Sequence, residues 1–125
     1  MPRLSNATMV RARNATLPAY DRTRVTPGIV HLGIGNFHRA HQAVYVDHCL
    51  AEDPSWGIVG VSLRHPTARD ALGPQDGLYT LAVRGAEQTE TRIVGSVLEV
   101  LFSGDQAERA IARMADPGIG IVSMT

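Results

Sequence analysis

The chain has 125 residues, 12 of them acidic and 12 basic, and its formal net charge at pH 7 is 0. Every basic residue is an arginine, which excludes mechanisms in which this chain supplies a lysine as Schiff base, general base or P-loop ligand. A neutral chain carries no broad positive field, so we expect neither nucleic acid nor a membrane as its partner. The length suits one domain with a buried core.

The cysteine content and the hydropathy bear on the compartment. Cys49 is the single cysteine, which excludes an internal disulfide and a cysteine metal cluster. The sequence has no run of about 18 apolar residues that would suggest a membrane span. Its arginine-containing N-terminus lacks the apolar segment of a secretory signal. We therefore expect a cytoplasmic protein.

The first 27 residues differ from the rest of the chain. They show no sustained hydrophobic periodicity and contain Pro2, Pro18 and Pro27. We predict an extended N-terminal arm over residues 1–27 that lies on the domain instead of forming its core.

A βαβ unit is predicted next. Residues 28–33 and 56–63 are short apolar runs typical of buried strands, and residues 37–53 form a helical segment without Gly or Pro. A strand, a helix and a strand within about 35 residues favour parallel strands joined by a right-handed crossover.

The alternation of predicted strands and helices is interrupted after residue 63. Residues 64–77 predict a polar loop, and residues 78–84 and 91–102 predict the strands of an inserted antiparallel hairpin. An amphipathic helix from residue 103 and a third buried parallel strand over 119–125 follow. The predicted fold is α/β, with a Rossmann-like parallel sheet, βαβ units and an antiparallel hairpin. Because a Rossmann sheet rarely stops at this point, residues 28–125 are expected to be an incomplete, C-terminally truncated dinucleotide-binding domain.

The Gly33-x-Gly35 pair lies where the first strand passes into a helix, which is the position of the dinucleotide fingerprint. Gly33 permits the tight turn, and Gly35 permits close approach of the backbone to a pyrophosphate. Arg39, in the first helical turn, is placed to reach the phosphates. His38 occupies the position of the third glycine, so the fingerprint is incomplete.

The end of the second strand departs from the fingerprint as well. An acidic ligand for the ribose is expected there, but the sequence has Ser62, Leu63 and Arg64, with no carboxylate before Asp70. An arginine at this place can favour the 2′-phosphate of NADP, which leaves NADP open beside NAD.

Metal and triad chemistry are disfavoured by the sequence. Four of the five histidines lie between residues 31 and 48, but no carboxylate or cysteine completes a first shell at close spacing. No Gly-x-Ser-x-Gly nucleophile elbow occurs. We expect no metal ligand and no catalytic residue in this chain.

These segments resemble the polyol-specific long-chain dehydrogenases, the family of mannitol 2-dehydrogenase, fructuronate reductase (D-mannonate oxidoreductase), tagaturonate reductase and D-arabinitol 4-dehydrogenase. The resemblance is strongest over residues 28–42, which read GIVHLGIGNFHRAHQ, and it accounts for the missing third glycine. It extends to residues 4–8, 56–64, 75–81 and 121–125, and so covers essentially the whole chain.

The resemblance implies an expanded Rossmann domain in an NAD-dependent, metal-independent oxidoreductase of polyols or sugar acids. It also implies a mostly helical C-terminal domain that carries a catalytic lysine with Asn and His partners and covers the substrate. We expect none of that domain within these 125 residues. The cofactor-binding residues that it implies are Ile29, Val30, His31, Leu32, Gly33, Ile34, Gly35, Asn36, Phe37, His38, Arg39 and Ala40.

The sequence thus predicts the NAD-binding portion of a mannitol dehydrogenase-family oxidoreductase, with a small-molecule polyol or sugar acid as substrate of the full-length enzyme. By itself the 125-residue chain is expected to be inactive. One alternative is a non-catalytic dinucleotide-binding module, which the absence of lysine and of a substrate domain motivates. The other is a non-functional gene fragment from a split or truncated gene, whose last strand would leave an unpaired apolar edge.

Overall fold

A four-stranded parallel sheet organises the computed structural model, which describes residues 2–125. The strands of the molecule are β1 (Pro27–Leu32), β2 (Gly57–Ser62), β3 (Tyr79–Arg84), β4 (Thr89–Val94), β5 (Val97–Phe102) and β6 (Ile121–Met124). The parallel sheet has the order β5-β2-β1-β6. The connections from β1 to β2 and from β2 to β5 therefore place successive strands on one side of β1. The connection from β5 to β6 places β6 on the other side of β1, as in the first half of a Rossmann sheet. The predicted α/β, Rossmann-like fold class is confirmed.

The crossover from β1 to β2 contains two short helices, α1 (Asn36–Ala40) and α2 (Gln42–Cys49). The prediction of one helix over residues 37–53 is wrong here, because the backbone leaves helical geometry at His41, with φ −123° and ψ −87°. The Nδ1 of His41 lies 2.7 Å from the carbonyl of Phe37, the group that a continuous helix would offer to the His41 N–H. That N–H donates to the His38 carbonyl instead.

Strands β3 and β4 form the antiparallel hairpin, but the predicted partner strand over residues 91–102 is wrong in its second half. The chain turns at Gly95 and Ser96, and β5 pairs in parallel with β2. Ser96 is fully buried, and its hydroxyl donates to the carbonyl of Ala43 at 2.6 Å. An apolar run such as β5 is stabilised when both faces are covered, which the parallel sheet provides and the hairpin does not.

Strand β6 is consequently the fourth parallel strand and not the third. It pairs with β1 alone, at the edge of the sheet. The expectation that it is buried is wrong, since Ile121, Val122 and Met124 are 44%, 49% and 71% exposed. No further strand within residues 2–125 covers them.

The remaining helices are α3 (Thr67–Leu72) and α4 (Ser103–Met114). One face of the sheet packs against α2, α3 and the hairpin through a core that includes Ile29, Ala43 and Ile58. The other face packs Val30 and Val59 against α4. Since neighbouring residues of β1 point to opposite faces, each of its apolar side chains serves one of the two cores. None of the helices in the described range is long and apolar enough to span a membrane.

Residues 2–26 are irregular apart from two short 3-10 helices, Met9–Arg11 and Arg22–Arg24. The guanidinium of Arg22 donates to the carbonyls of Gly95 at 3.0 Å and of Val97 at 2.7 Å. Tyr20 donates to the buried carboxylate of Asp47 on α2. These bonds attach the N-terminal segment to the turn at which the chain leaves the hairpin and enters the parallel sheet.

Candidate functional site

The carboxyl ends of β1, β2 and β6 meet at one edge of the sheet. The crossover from β1 packs on one face and α4, which leads into β6, packs on the opposite face. The strand order therefore reverses between β1 and β6, and ligands of open α/β sheets bind in the crevice at such a point. An open cleft lies there, lined by Gly33, Ile34, Gly35, Asn36, Arg39, Ser62, Leu63, Arg64, His65, Thr67, Ala68 and Thr125.

The two glycines of the turn after β1 serve different purposes. Gly33 has φ +96°, and a Cβ at this position would lie 2.9 Å from the carbonyl oxygen of Thr125, so both its conformation and its surroundings require glycine. Gly35 is extended, with φ −109° and ψ −168°, a conformation open to any residue. A Cβ on Gly35 would meet nothing within 4 Å. The absence of a side chain at Gly35 keeps cleft volume open without being needed for the fold.

Arg39 is the cation beside this turn. Its Nε donates to the Gly35 carbonyl at 3.3 Å, and its Nη2 donates to the Asn36 side-chain oxygen at 2.5 Å. Both acceptors are uncharged, so the positive charge of Arg39 is held at the cleft without a carboxylate that neutralises it. Such a charge favours an anionic ligand.

A stacked pair of imidazoles supports the turn from beneath. The rings of His31 on β1 and His38 on α1 are parallel within 13°, with centroids 3.8 Å apart. The two ring nitrogens of His31 lie 2.7 Å from the Ser123 hydroxyl and 2.6 Å from the Thr125 hydroxyl. The third glycine of the fingerprint normally allows close helix–strand packing. Here a flat, buried ring takes that place by stacking on a second ring.

Burial sets the charge state of these imidazoles. The pKa of His38 is lowered to about 4, mainly by desolvation and also by the neighbouring His31, while Gln42 opposes the shift. Desolvation also lowers the pKa of His31. Both rings are therefore mostly neutral at pH 7.

Only some of the residues implied for cofactor binding reach the cleft. Gly33, Ile34, Gly35, Asn36 and Arg39 line the cleft. His31 and His38 lie beneath the cleft, and Ile29, Val30 and Leu32 pack in the sheet. Phe37 is exposed and stacks on His41, and Ala40 is the last residue of α1. The structure therefore brings five of the twelve residues to the cleft surface.

The cleft also contains residues outside that set. Ser62 is the last residue of β2, and Leu63, Arg64 and His65 follow it. Thr67 and Ala68 begin α3, and Thr125 follows β6. The rule that carboxyl ends of parallel strands form the site could have found them, once the strand order was known. Sequence reasoning considered residues 62–64 only as the place of a ribose ligand.

The side chains of residues 2–125 were considered for metal binding and for chemistry by a carboxylate or a thiol. No group of three His, Cys, Asp or Glu side chains in this range is arranged to hold a metal ion. The cleft lining contains hydroxyls, amides, guanidiniums and one imidazole, but no carboxylate and no thiol. What it offers is anion recognition and hydrogen bonding to hydroxyl groups.

Fold and cleft together define a dinucleotide-binding domain of the Rossmann class. The model of the mannitol dehydrogenase Rossmann domain matches residues 27–125, and the chain belongs to this family. It is 46% identical, over 98% of its length, to mannitol 2-dehydrogenase of Pyrenophora tritici-repentis and 44% identical, over 90%, to that of Cereibacter sphaeroides. These alignments cover 22% and 24% of the relatives, so the chain spans about a quarter of their length.

Solved structures agree with the sequence relatives. The mannitol 2-dehydrogenase of Pseudomonas fluorescens, solved as a ternary complex with NAD and D-mannitol, is similar with a TM-score of 0.90 and 41% identity. A D-sorbitol dehydrogenase in substrate-free form is similar with a TM-score of 0.92 and 35% identity. Each alignment covers 98% of this chain and 26% of the other chain.

Proposed function

We propose that the chain is the cofactor-binding part of an NAD-dependent dehydrogenase that moves hydride between nicotinamide and a polyol or sugar acid. The pairs mannitol/fructose and mannonate/fructuronate are the candidate substrates. The observation that carries the proposal is the cleft at the switch point, where Gly35 leaves open space beside the uncompensated charge of Arg39. The P. fluorescens relative, whose structure contains NAD and D-mannitol, supports the same assignment.

The residues of the cleft fit a pyrophosphate. Gly33 turns the backbone sharply, and Gly35 lets the main chain approach the ligand without steric hindrance. Arg39 supplies a guanidinium fork for phosphate oxygens. When bound, the nicotinamide ring supplies a hydride acceptor or donor. The contribution of this chain is to bind the dinucleotide and to fix its position against the carboxyl ends of β1 and β6.

The substrate side of the reaction is proposed to lie outside these residues. The chain contains no lysine, so a lysine that takes the proton of a substrate hydroxyl must come from another part of the protein. The coverage of about a quarter of the relatives is consistent with residues 28–125 as the first part of a dinucleotide domain, completed by further strands and a substrate domain.

The test uses the protein as encoded, with this chain in its natural context. Purified protein is mixed with NAD and a panel of polyols and aldonates, or with NADH and the matching ketoses and keto acids, and the absorbance of reduced nicotinamide is followed. Calorimetric titration with NAD and NADH runs in parallel. Turnover of one panel member with binding of the cofactor is expected. An absence of turnover, together with no binding at millimolar cofactor, would refute the proposal.

A further inference from the structure

Tyr79 connects the inserted hairpin to the helix beside the cleft. It is the first residue of β3, and only 8% of its surface is exposed. Its hydroxyl donates to the main-chain carbonyl of Arg39 at 2.5 Å, between residues that lie 40 positions apart in sequence. Desolvation raises the pKa of the Tyr79 hydroxyl, so the group stays a protonated donor at physiological pH. A hydrogen bond therefore joins the hairpin to α1, the helix that carries the cation of the cleft.

Helix α1 has little stability of its own. It contains only five residues, and its N-terminal cap, Gly35, supplies no side-chain hydrogen bond. A helix of this length is not stable in isolation. In a continuous helix the N–H four residues further on would bond to the Arg39 carbonyl, but the backbone leaves helical geometry at His41. The donor for this carbonyl comes from Tyr79 instead, so a tertiary contact completes the end of α1.

The turn before β3 fixes where Tyr79 lies. Asp76 and Gly77 both have left-handed backbone conformations, with φ +56° and φ +79°. The side-chain amide of Gln75 donates to the carbonyl of Leu78 at 2.9 Å, and the Leu78 side chain is fully buried. These contacts hold the residue before Tyr79 on both its main chain and its side chain. The segment therefore does more than reverse the chain direction, because it places one buried hydroxyl against α1.

We propose that Tyr79 is a positioning residue for cofactor binding, whose hydroxyl holds the backbone of Arg39 so that the guanidinium stays at the cleft. The inference rests on the proposed dinucleotide function and adds to it a residue outside the cleft lining. The bonded carbonyl belongs to the residue that carries the guanidinium, and the Arg39 side chain then bonds to the Gly35 carbonyl and the Asn36 side-chain oxygen. Without the hydroxyl the guanidinium is less ordered, and an anionic ligand must order it on binding.

The test compares Tyr79→Phe with Ser96→Ala in the protein as encoded, by calorimetric titration with NADH and by urea unfolding. Each variant removes one hydroxyl that donates to a main-chain carbonyl of the crossover from β1 to β2, since Ser96 donates to Ala43 at 2.6 Å. Tyr79→Phe keeps the aromatic ring in the core. Both variants should lower the unfolding midpoint, but only Tyr79→Phe should raise the dissociation constant of NADH. A rise of about two- to tenfold is expected, the range for one hydrogen bond between uncharged groups.

Two further readouts separate positioning from a purely structural role. Arg39→Met removes the charge that Tyr79 is proposed to hold in place. In that background Tyr79→Phe should change the NADH dissociation constant by less than about twofold, because the two residues act through one contact. The decrease of NADH affinity with added salt should also become shallower in Tyr79→Phe, as in Arg39→Met, and should keep its slope in Ser96→Ala.

Equal NADH affinities of Tyr79→Phe and Ser96→Ala would overturn this inference and leave the proposed function standing. Independent effects of the Tyr79 and Arg39 variants, or normal NADH binding by Arg39→Met, would overturn it as well. Loss of folding in Tyr79→Phe would show that the hydroxyl serves the fold and would reject the positioning role. If the unmodified protein does not bind NADH, the proposed function fails and the inference fails with it.

Discussion

We expect Gly35→Ala to separate cofactor binding from folding. The added methyl group meets no atom within 4 Å, and the backbone at Gly35 is extended, so no strain arises. A Gly→Ala change at a compatible site stabilises a fold by about 0.4–1 kcal/mol, through the unfolded state. The free energy of unfolding should therefore stay the same or rise slightly.

The cofactor should respond in the opposite direction. A methyl group on Gly35 occupies the space through which the backbone approaches a pyrophosphate. Loss of one hydrogen bond to a charged group costs about 1.5–3 kcal/mol, which is roughly a 10- to 100-fold rise in the dissociation constant. Gly35→Val, with a larger side chain, should weaken binding further.

The assay is calorimetric titration with NADH and with NADPH, accompanied by urea unfolding of each variant. Gly73→Ala is the matched control, because a Cβ on Gly73 also meets nothing within 4 Å and its φ −53° and ψ −52° suit alanine. The control should bind both cofactors like the unmodified protein. If Gly35→Ala binds within about twofold of Gly73→Ala, the pyrophosphate does not lie at Gly35 and the reasoning is refuted.

Three further predictions concern stability, measured by urea unfolding. Asp47→Ala should cost about 3–5 kcal/mol, because Asp47 is almost fully buried, 2.7 Å from Arg92, and its loss leaves that charge unpaired; a cost below about 1 kcal/mol would contradict this role. Gly77→Ala should cost more than about 2 kcal/mol, since Gly77 has φ +79° and a Cβ there would lie 2.1 Å from the Val97 carbonyl oxygen; an unchanged unfolding midpoint would refute the contact. The neutral state of His38 contributes stability that is complete above pH 6.5 and declines as the pH falls toward about 4, so stability at pH 5 should be about 2 kcal/mol lower than at pH 8 through this group. His38→Gln should lose that part of the pH dependence, and an unchanged slope in the variant would show that His38 is not its source.

The sequence determined the βαβ unit, the glycine turn and the family of this protein. Apolar runs of strand length bracket a helix, and the order of these segments along the chain is enough to predict a crossover. The turn residues could be identified because glycine, at Gly33, meets a backbone requirement that other residues do not. These features depend on local conformation and spacing, which are written directly in the order of residues.

Only the tertiary structure decided which strands are neighbours. Residues 91–102 form a continuous β-prone segment apart from Gly95, and hydrophobicity alone does not show that β5 joins β2 and not β3. The same is true of β6, whose place at the sheet edge exposes side chains that its composition predicts to be buried. Strand pairing depends on contacts between residues far apart in sequence. Neither hydrophobic periodicity nor β-propensity specifies which strand will be the neighbour.

The cleft shows the same division between local sequence and tertiary contact. The sequence located Gly33, Gly35 and Arg39, and noted that the end of β2 lacks an acid. It could not show that His38 stacks on His31, because that contact needs α1 folded back on β1. Nor could it show that Arg69 binds both Asp70 and Asp105, which are 35 residues apart, while Arg64 stays free of ion pairs among residues 2–125. Residue types are fixed by the sequence, but charge compensation is set by distances in space, and only the folded chain defines those.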